Sequence, residues 1–140
     1  VIIDADGAIL GKLASDVAKR LLLGEKIVVV NAEKAVITGN KKSILAHYKE
    51  NYDRGHRDKG PFFPKAPHRI LKRTVRGMLP WKRNKGKLAY KNLLVHIGVP
   101  DEFKNEKPIK LLHAAVESGN APSFIKLSEV SRFLGWSQKM

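Results

Sequence analysis

Sixteen of the chain's 27 Lys and Arg residues fall between positions 41 and 91, against only three of its 13 acids, Glu50, Asp53 and Asp58. That stretch carries an excess of thirteen positive charges, and the other 89 residues an excess of one. Lysine supplies point charge, and the arginine fork can hold two phosphate oxygens at once. Crowded cations repel one another and cost stability, so a cluster this uneven calls for an anionic partner, and a polyphosphate backbone is the commonest one. The bland reading, a solvated charged face, is weak here because few acids are interleaved as ion-pair partners. The cations divide among a loop (Arg54, Arg57, Lys59, Lys65), a helix face (Arg69, Lys72, Arg73, Arg76) and a turn (Lys82, Arg83, Lys85, Lys87). Phe62, Phe63 and Trp81 lie among them. Aromatic rings in such a setting either stack on unpaired bases or pin the loop to the core. Trp81 fits both readings equally, while the prolines beside the Phe pair favour packing.

Catalytic chemistry finds little support. Asp4-Ala5-Asp6 after an apolar run resembles the start of a metal-dependent phosphatase, but no later acidic pair completes a magnesium site. Both carboxylates are expected to shape a turn instead. Gly7 and Gly11 match neither a dinucleotide-binding fingerprint nor a P-loop. The five histidines form no H-E-x-x-H motif, cysteine is absent, and no Ser sits in a G-x-S-x-G elbow, so neither a zinc site nor a nucleophile is expected. No cofactor, metal or small-molecule substrate is implied.

The elements that must position the charge follow from periodicity. At 140 residues and 43% apolar the chain fits one domain with a real core. No apolar run approaches the roughly 20 residues that span a bilayer. The start shows no signal peptide, and the absence of Cys is compatible with a reducing compartment. Val1-Ile2-Ile3 is a short strand. Leu10, Leu13, Ala14, Val17, Ala18 and Leu21 form one helical stripe that Gly24 ends. The runs Ile27 to Val30 and Ala35 to Thr38 are strands. Asn40 caps a helix from Lys41 to about Tyr52, with Ile44, Leu45, Tyr48 and Tyr52 inward.

Residues 53–69 lose all periodicity, and a loop this long in a small domain usually has a function. With few apolar anchors and three prolines, residues 53–67 are expected to order only on RNA. From Arg69 to about Met78 a helix turns Ile70, Leu71, Val75 and Met78 inward and its cations outward. A basic turn, Trp81 to Lys87, precedes a short helix near Leu88 to Asn92 and a strand from Leu93 to Ile97. After a polar loop, Phe124 to Leu127 is a weak strand, and Ser128 caps a last helix with Val130, Phe133 and Leu134 inward. Strand, helix, strand with short connections points to an α/β fold with a mainly parallel sheet.

Six collinear segments carry a resemblance: VIIDADGAILGKLAS (1–15), VVVNAEKAVITGNK (28–41), GPFFPKAPHRI (60–70), KRTVRGMLPWK (72–82), LLVHIGVP (93–100) and FIKLSEVSRFLGW (124–136). Together the chain resembles the large-subunit ribosomal protein L-thirteen family in its archaeal and eukaryotic form. The resemblance implies a three-layer α/β/α sandwich around a four-stranded, mainly parallel sheet. It implies a structural, non-catalytic role in a cytoplasmic large ribosomal subunit, bound to large-subunit ribosomal RNA beside neighbouring ribosomal proteins, with no membrane contact. Carried over by position, it implies RNA-facing segments at Gly39-Asn40-Lys41, with Lys42 beside them, in the loop through His68 and Arg69, and from Arg73 through Trp81 to Lys87. Two other roles compete: a basic RNA-processing enzyme, which needs an acid, base or metal set near the cations, and a free regulatory RNA binder.

Overall fold

The computed structural model describes residues 1–54, 63–111 and 123–136. Arg57, Lys59, Phe62 and most of the loop expected to order on RNA lie outside the described residues.

The opening segment follows its local signals. Strand β1 (Ile2–Asp4) leads into α1 (Leu10–Leu22), whose six stripe residues are all buried. Gly24, at φ +93°, takes the left-handed conformation that ends the helix and releases the chain into β2 (Ile27–Val30). The β-branched run of β2 suits a strand covered on both faces. Then Asn31, at φ 58°, starts a 3₁₀ turn over Ala32–Lys34 that carries the chain away from the sheet. The Asn31 side-chain amide donates to Asp4 Oδ1 at 3.0 Å, as does the Asp6 backbone N–H. The Asp4 carboxylate is thus a turn acceptor, as its position suggested.

Strand β3 (Val36–Thr38) and α2 (Lys41–Asp53) come next, with the Asn40 side chain accepting from the Lys42 N–H at 2.9 Å as an N-cap. They are followed by α3 (Pro67–Gly77), α4 (Asn84–Lys91), β4 (Leu93–Val95), a 3₁₀ turn at Asp101–Phe103 and β5 (Ile109–Lys110). β6 (Phe124–Lys126) and α5 (Leu127–Phe133) end the described chain. The fold is mixed α/β, and the described residues form five α-helices and a four-stranded sheet in the order β4-β2-β1-β5, parallel throughout. Ile3, Ile27, Val29, Leu93 and Val95 share one face of that sheet by register and are buried in the core with the apolar sides of α1 and α3.

Four details depart from expectation, each for a physical reason. Val36–Thr38 leaves the parallel sheet and pairs antiparallel with Phe124–Lys126, because the 3₁₀ turn at Asn31 diverts it. The fourth sheet strand is instead Ile109–Lys110, two exposed residues too short for any periodicity. The last helix begins at Leu127, not after a Ser128 cap: the Leu127 N–H is already held by the Ala35 carbonyl at 2.8 Å, and its side chain is fully buried. Met78 and Phe133, placed inward by periodicity, are 43% and 49% exposed, since each sits where its helix ends and the adjoining Leu79 and Leu134 take the buried position.

Candidate nucleic-acid interface

α3 builds the centre of the site. Pro67 at its first position supplies a pre-set φ where the missing N–H costs nothing. Ile70, Leu71 and Val75 anchor one side in the core. The other side carries Arg69, Lys72, Arg73 and Arg76, and the helix contains no acid. Among the described residues none of these four makes a salt bridge, and neither do Lys82, Arg83, Lys85 and Lys87. Their charge is not neutralised by any described residue.

What orders these cations is aromatic. The Arg76 guanidinium lies 4.3 Å from the centroid of the Trp81 ring, and Lys72 Nζ lies 4.9 Å from that of Tyr90. Trp81 and Tyr90 meet edge to face at 5.1 Å, so two rings and two cations form one braced unit joining α3 to α4. Trp81 is therefore engaged within the protein, which favours the packing reading. Phe63 likewise packs edge-on against Tyr48 at 5.9 Å, and Lys65 Nζ sits 4.9 Å over Tyr52. Burial raises the Tyr48 hydroxyl above its ordinary pKa. Gly86 makes the turn into α4 possible: a Cβ there would lie 2.1 Å from the Pro80 carbonyl oxygen.

A groove of about 800 Å³ opens between the start of α3 and the β4 edge of the sheet. Lys65, Arg69, Lys72 and Arg73 bring it positive charge, His68 adds an imidazole, and among the described residues no carboxylate lines it. Phe63, Tyr90, Leu94 and Trp136 supply rings and an apolar rim. Burial, with the positive charge of Arg69, the nearby His96 and Lys72, holds the His68 imidazole below the ordinary histidine pKa. Its Nδ1 is buried and has no hydrogen-bond partner among the described residues.

The expected RNA-facing residues thus fall into separate groups. Lys65, His68, Arg69, Lys72 and Arg73 converge on the groove, and Arg76 with Trp81 adjoins it through Tyr90. Lys82, Arg83, Lys85 and Lys87 are exposed on the turn and the start of α4. Asn40, Lys41 and Lys42 stand apart at the head of α2. There the Asn40 acceptor is used as a cap, and Lys41 lies 3.5 Å from Glu129. Arg54 pairs with Glu50 at 3.2 Å. Tyr90 and Trp136 are new to the site. Tyr90 sits among Lys85, Lys87 and Lys91, an aromatic-in-basic signal that was there to be used, whereas nothing local in the sequence brings Trp136 to α3.

Among the described residues no group of three His, Cys, Asp or Glu side chains could hold a metal ion, and no helix is long and apolar enough to cross a membrane. The family model described as Ribosomal protein L13 matches residues 1–102. Curated relatives named "Large ribosomal subunit protein uL13" align over nearly the whole chain. The protein from Archaeoglobus fulgidus is 55% identical over 136 residues, 96% of this chain and 87% of its own length. That from Methanosarcina barkeri is 50% identical over 135 residues, 96% of both chains, and that from Methanocaldococcus jannaschii 46% identical over 138 residues, again 96% of both. A family model covering most of the chain, and relatives this similar along its length, establish that the chain belongs to the ribosomal protein L13 family.

Proposed function

We propose that this chain holds large-subunit ribosomal RNA on the cationic side of α3 and on the basic turn into α4, working as a single domain and in contact with neighbouring ribosomal proteins. As a family member it is a structural, non-enzymatic component of the large ribosomal subunit. One observation carries the RNA reading. α3 presents four cations with no acid among them and no ion pair to any described residue, while its opposite side is locked in the core. Such a surface is rigid where it must be and unsatisfied where a phosphate backbone would satisfy it.

The residues assigned to RNA are the groove and helix cations, Lys65, Arg69, Lys72, Arg73 and Arg76, together with Lys82, Arg83, Lys85 and Lys87, and His68 as a groove polar group. Arg57 and Lys59 belong to the same basic stretch by sequence. Asn40, Lys41, Lys42 and Arg54 serve as a second, weaker contact, since intramolecular partners already occupy three of them. Trp81 supports the surface by holding Arg76 in place.

Charge reversal tests the assignment. Arg73→Glu should lower affinity for a large-subunit RNA fragment by roughly tenfold or more at ~0.1 M salt, because it removes a phosphate contact and adds repulsion. Lys19→Glu on the outer side of α1 should change affinity little. Both variants should keep the wild-type melting temperature, since neither residue is buried. Unchanged binding by Arg73→Glu would remove α3 from the contact.

A further inference from the structure

The groove beside α3 differs in kind from the cationic surface around it. A duplex backbone presents phosphates and hides its bases, so a duplex-binding surface needs only cations. This groove also contains rings and an apolar rim. Two of its aromatic residues are engaged within the protein: Tyr90 lies under Lys72 and against Trp81, and Phe63 lies against Tyr48. Trp136 differs from both, since among the described residues its ring has no aromatic or cationic contact. It is held where the chain leaves α5: Gly135 turns at φ +100°, and the Trp136 N–H donates to the Ser131 carbonyl at 2.9 Å. Leu94, 51% exposed on the edge strand, offers apolar surface to the same groove. His68 adds a buried ring nitrogen with no hydrogen-bond partner among the described residues.

We infer that this groove seats an unpaired nucleotide, its base against Trp136 and Leu94, its flanking phosphates on Arg69, Arg73 and Lys65, and its polar edge within reach of His68. The inference rests on the RNA reading above and makes it specific: part of the bound RNA is single-stranded and contributes a base. The positive lining suits any anion, and its aromatic part favours a nucleotide over an acidic peptide. The lining joins cations to an indole that no described ring or cation covers, as base-stacking sites do. Among the described residues its lining has no carboxylate, which suits a phosphate and an acidic side chain alike. Its volume of about 800 Å³ lies within the range of sites that enclose small organic ligands. A guanidinium fork also matches two phosphate oxygens.

The test compares a hexauridylate strand with the same ribose-phosphate backbone lacking its bases, at low salt. The readouts are affinity and the indole N–H resonance of Trp136. Hexauridylate should move that resonance, and the abasic strand should bind about tenfold more weakly, the worth of roughly one stacked base. Trp136→Leu should erase the difference between the two strands while keeping the abasic affinity. Equal affinities with an unmoved Trp136 would overturn the groove assignment and leave phosphate binding by α3 intact. A wild-type protein that binds neither strand nor a large-subunit RNA fragment would overturn the RNA reading itself. A hexaglutamate peptide that moves Trp136 when hexauridylate does not would reassign the groove to an acidic protein segment.

Discussion

α1 and α3 are two amphipathic helices with the same inner logic and opposite outer ones. Each buries a regular apolar stripe in the shared core, and the two helices pack on each other. On the outer side of α1, Lys12, Lys19 and Arg20 are accompanied by Asp16, and Arg20 Nε lies 2.9 Å from Asp16 Oδ2. The outer side of α3 carries four cations and no acid. A helical i,i+4 pair such as the half-buried one on α1 contributes only about 0.3–0.5 kcal/mol. What separates the helices is therefore charge balance rather than stability: α1 pairs one of its three outer cations with an acid of its own, and α3 has no acid to pair.

Salt gives the largest expected effect and the most direct way to break this contrast. If α3 and its surroundings neutralise roughly 6–10 phosphates, affinity for RNA should fall about 10³–10⁵-fold between ~50 and ~200 mM salt. Replacing Arg69 and Arg73 together by Gln should flatten the log–log slope by about 1.4–1.8, two phosphates' worth. Replacing Lys19 and Arg20 by Gln should leave the slope unchanged. A slope that responds equally to both pairs would erase the distinction between the helices.

The second effect concerns the glycines of the two regions. Gly11 sits inside α1 with nothing within 4 Å of where a Cβ would stand. Gly11→Ala should therefore stabilise the protein by roughly 0.5–1 kcal/mol, the usual gain from removing a helical glycine. Gly86 lies inside α4 against the Pro80 carbonyl, where a Cβ would be 2.1 Å from the oxygen. Gly86→Ala should destabilise by roughly 1–3 kcal/mol as the turn shifts to relieve the overlap. The shift should also disturb the Trp81–Tyr90 contact and loosen Arg76. Denaturant midpoints give the signs, and a gain in stability at Gly86 would mean that the turn is not tightly held.

These regions also differ in how much of them the sequence reveals. The stripe of α1, the β-branched run of β2 and the Asn40 cap are local patterns, and each is found where its spacing puts it. The cationic side of α3 is legible for the same reason, as is the family, whose relatives align with nearly the whole chain. Pairings between distant segments are not legible. Nothing in Phe124–Lys126 announces β3 as its partner, and a two-residue strand such as Ile109–Lys110 has no period to detect. The groove is the strongest case. Its cations come from one basic stretch, but Trp136 follows the last helix, and only tertiary packing brings it to α3.

The smallest effect is a dependence on pH, and it sharpens the comparison because α1 has no counterpart to His68. The charged and titratable groups around that imidazole are Arg69 and Lys72 from α3 and His96 beyond β4, with Lys65 and Arg73 lining the same groove. Burial comes first and these positive neighbours second in holding its pKa below the unfolded value near 6.5. Between the two values the unfolded chain binds more protons than the folded one, so stability should fall as pH drops below about 6.5 and level off beneath the folded pKa. Bound RNA should act in the opposite direction. Phosphates on Arg69 and Arg73 would offset the positive field, raise the His68 pKa and draw a proton into the complex. Affinity should therefore rise as pH falls below about 6.5. Calorimetric titrations in two buffers of different ionisation enthalpy should show proton uptake near pH 6, and His68→Gln should abolish it. Uptake that survives in His68→Gln would place the titrating group elsewhere. No uptake in the wild type would mean that the bound phosphates lie too far from the groove for His68 to sense them.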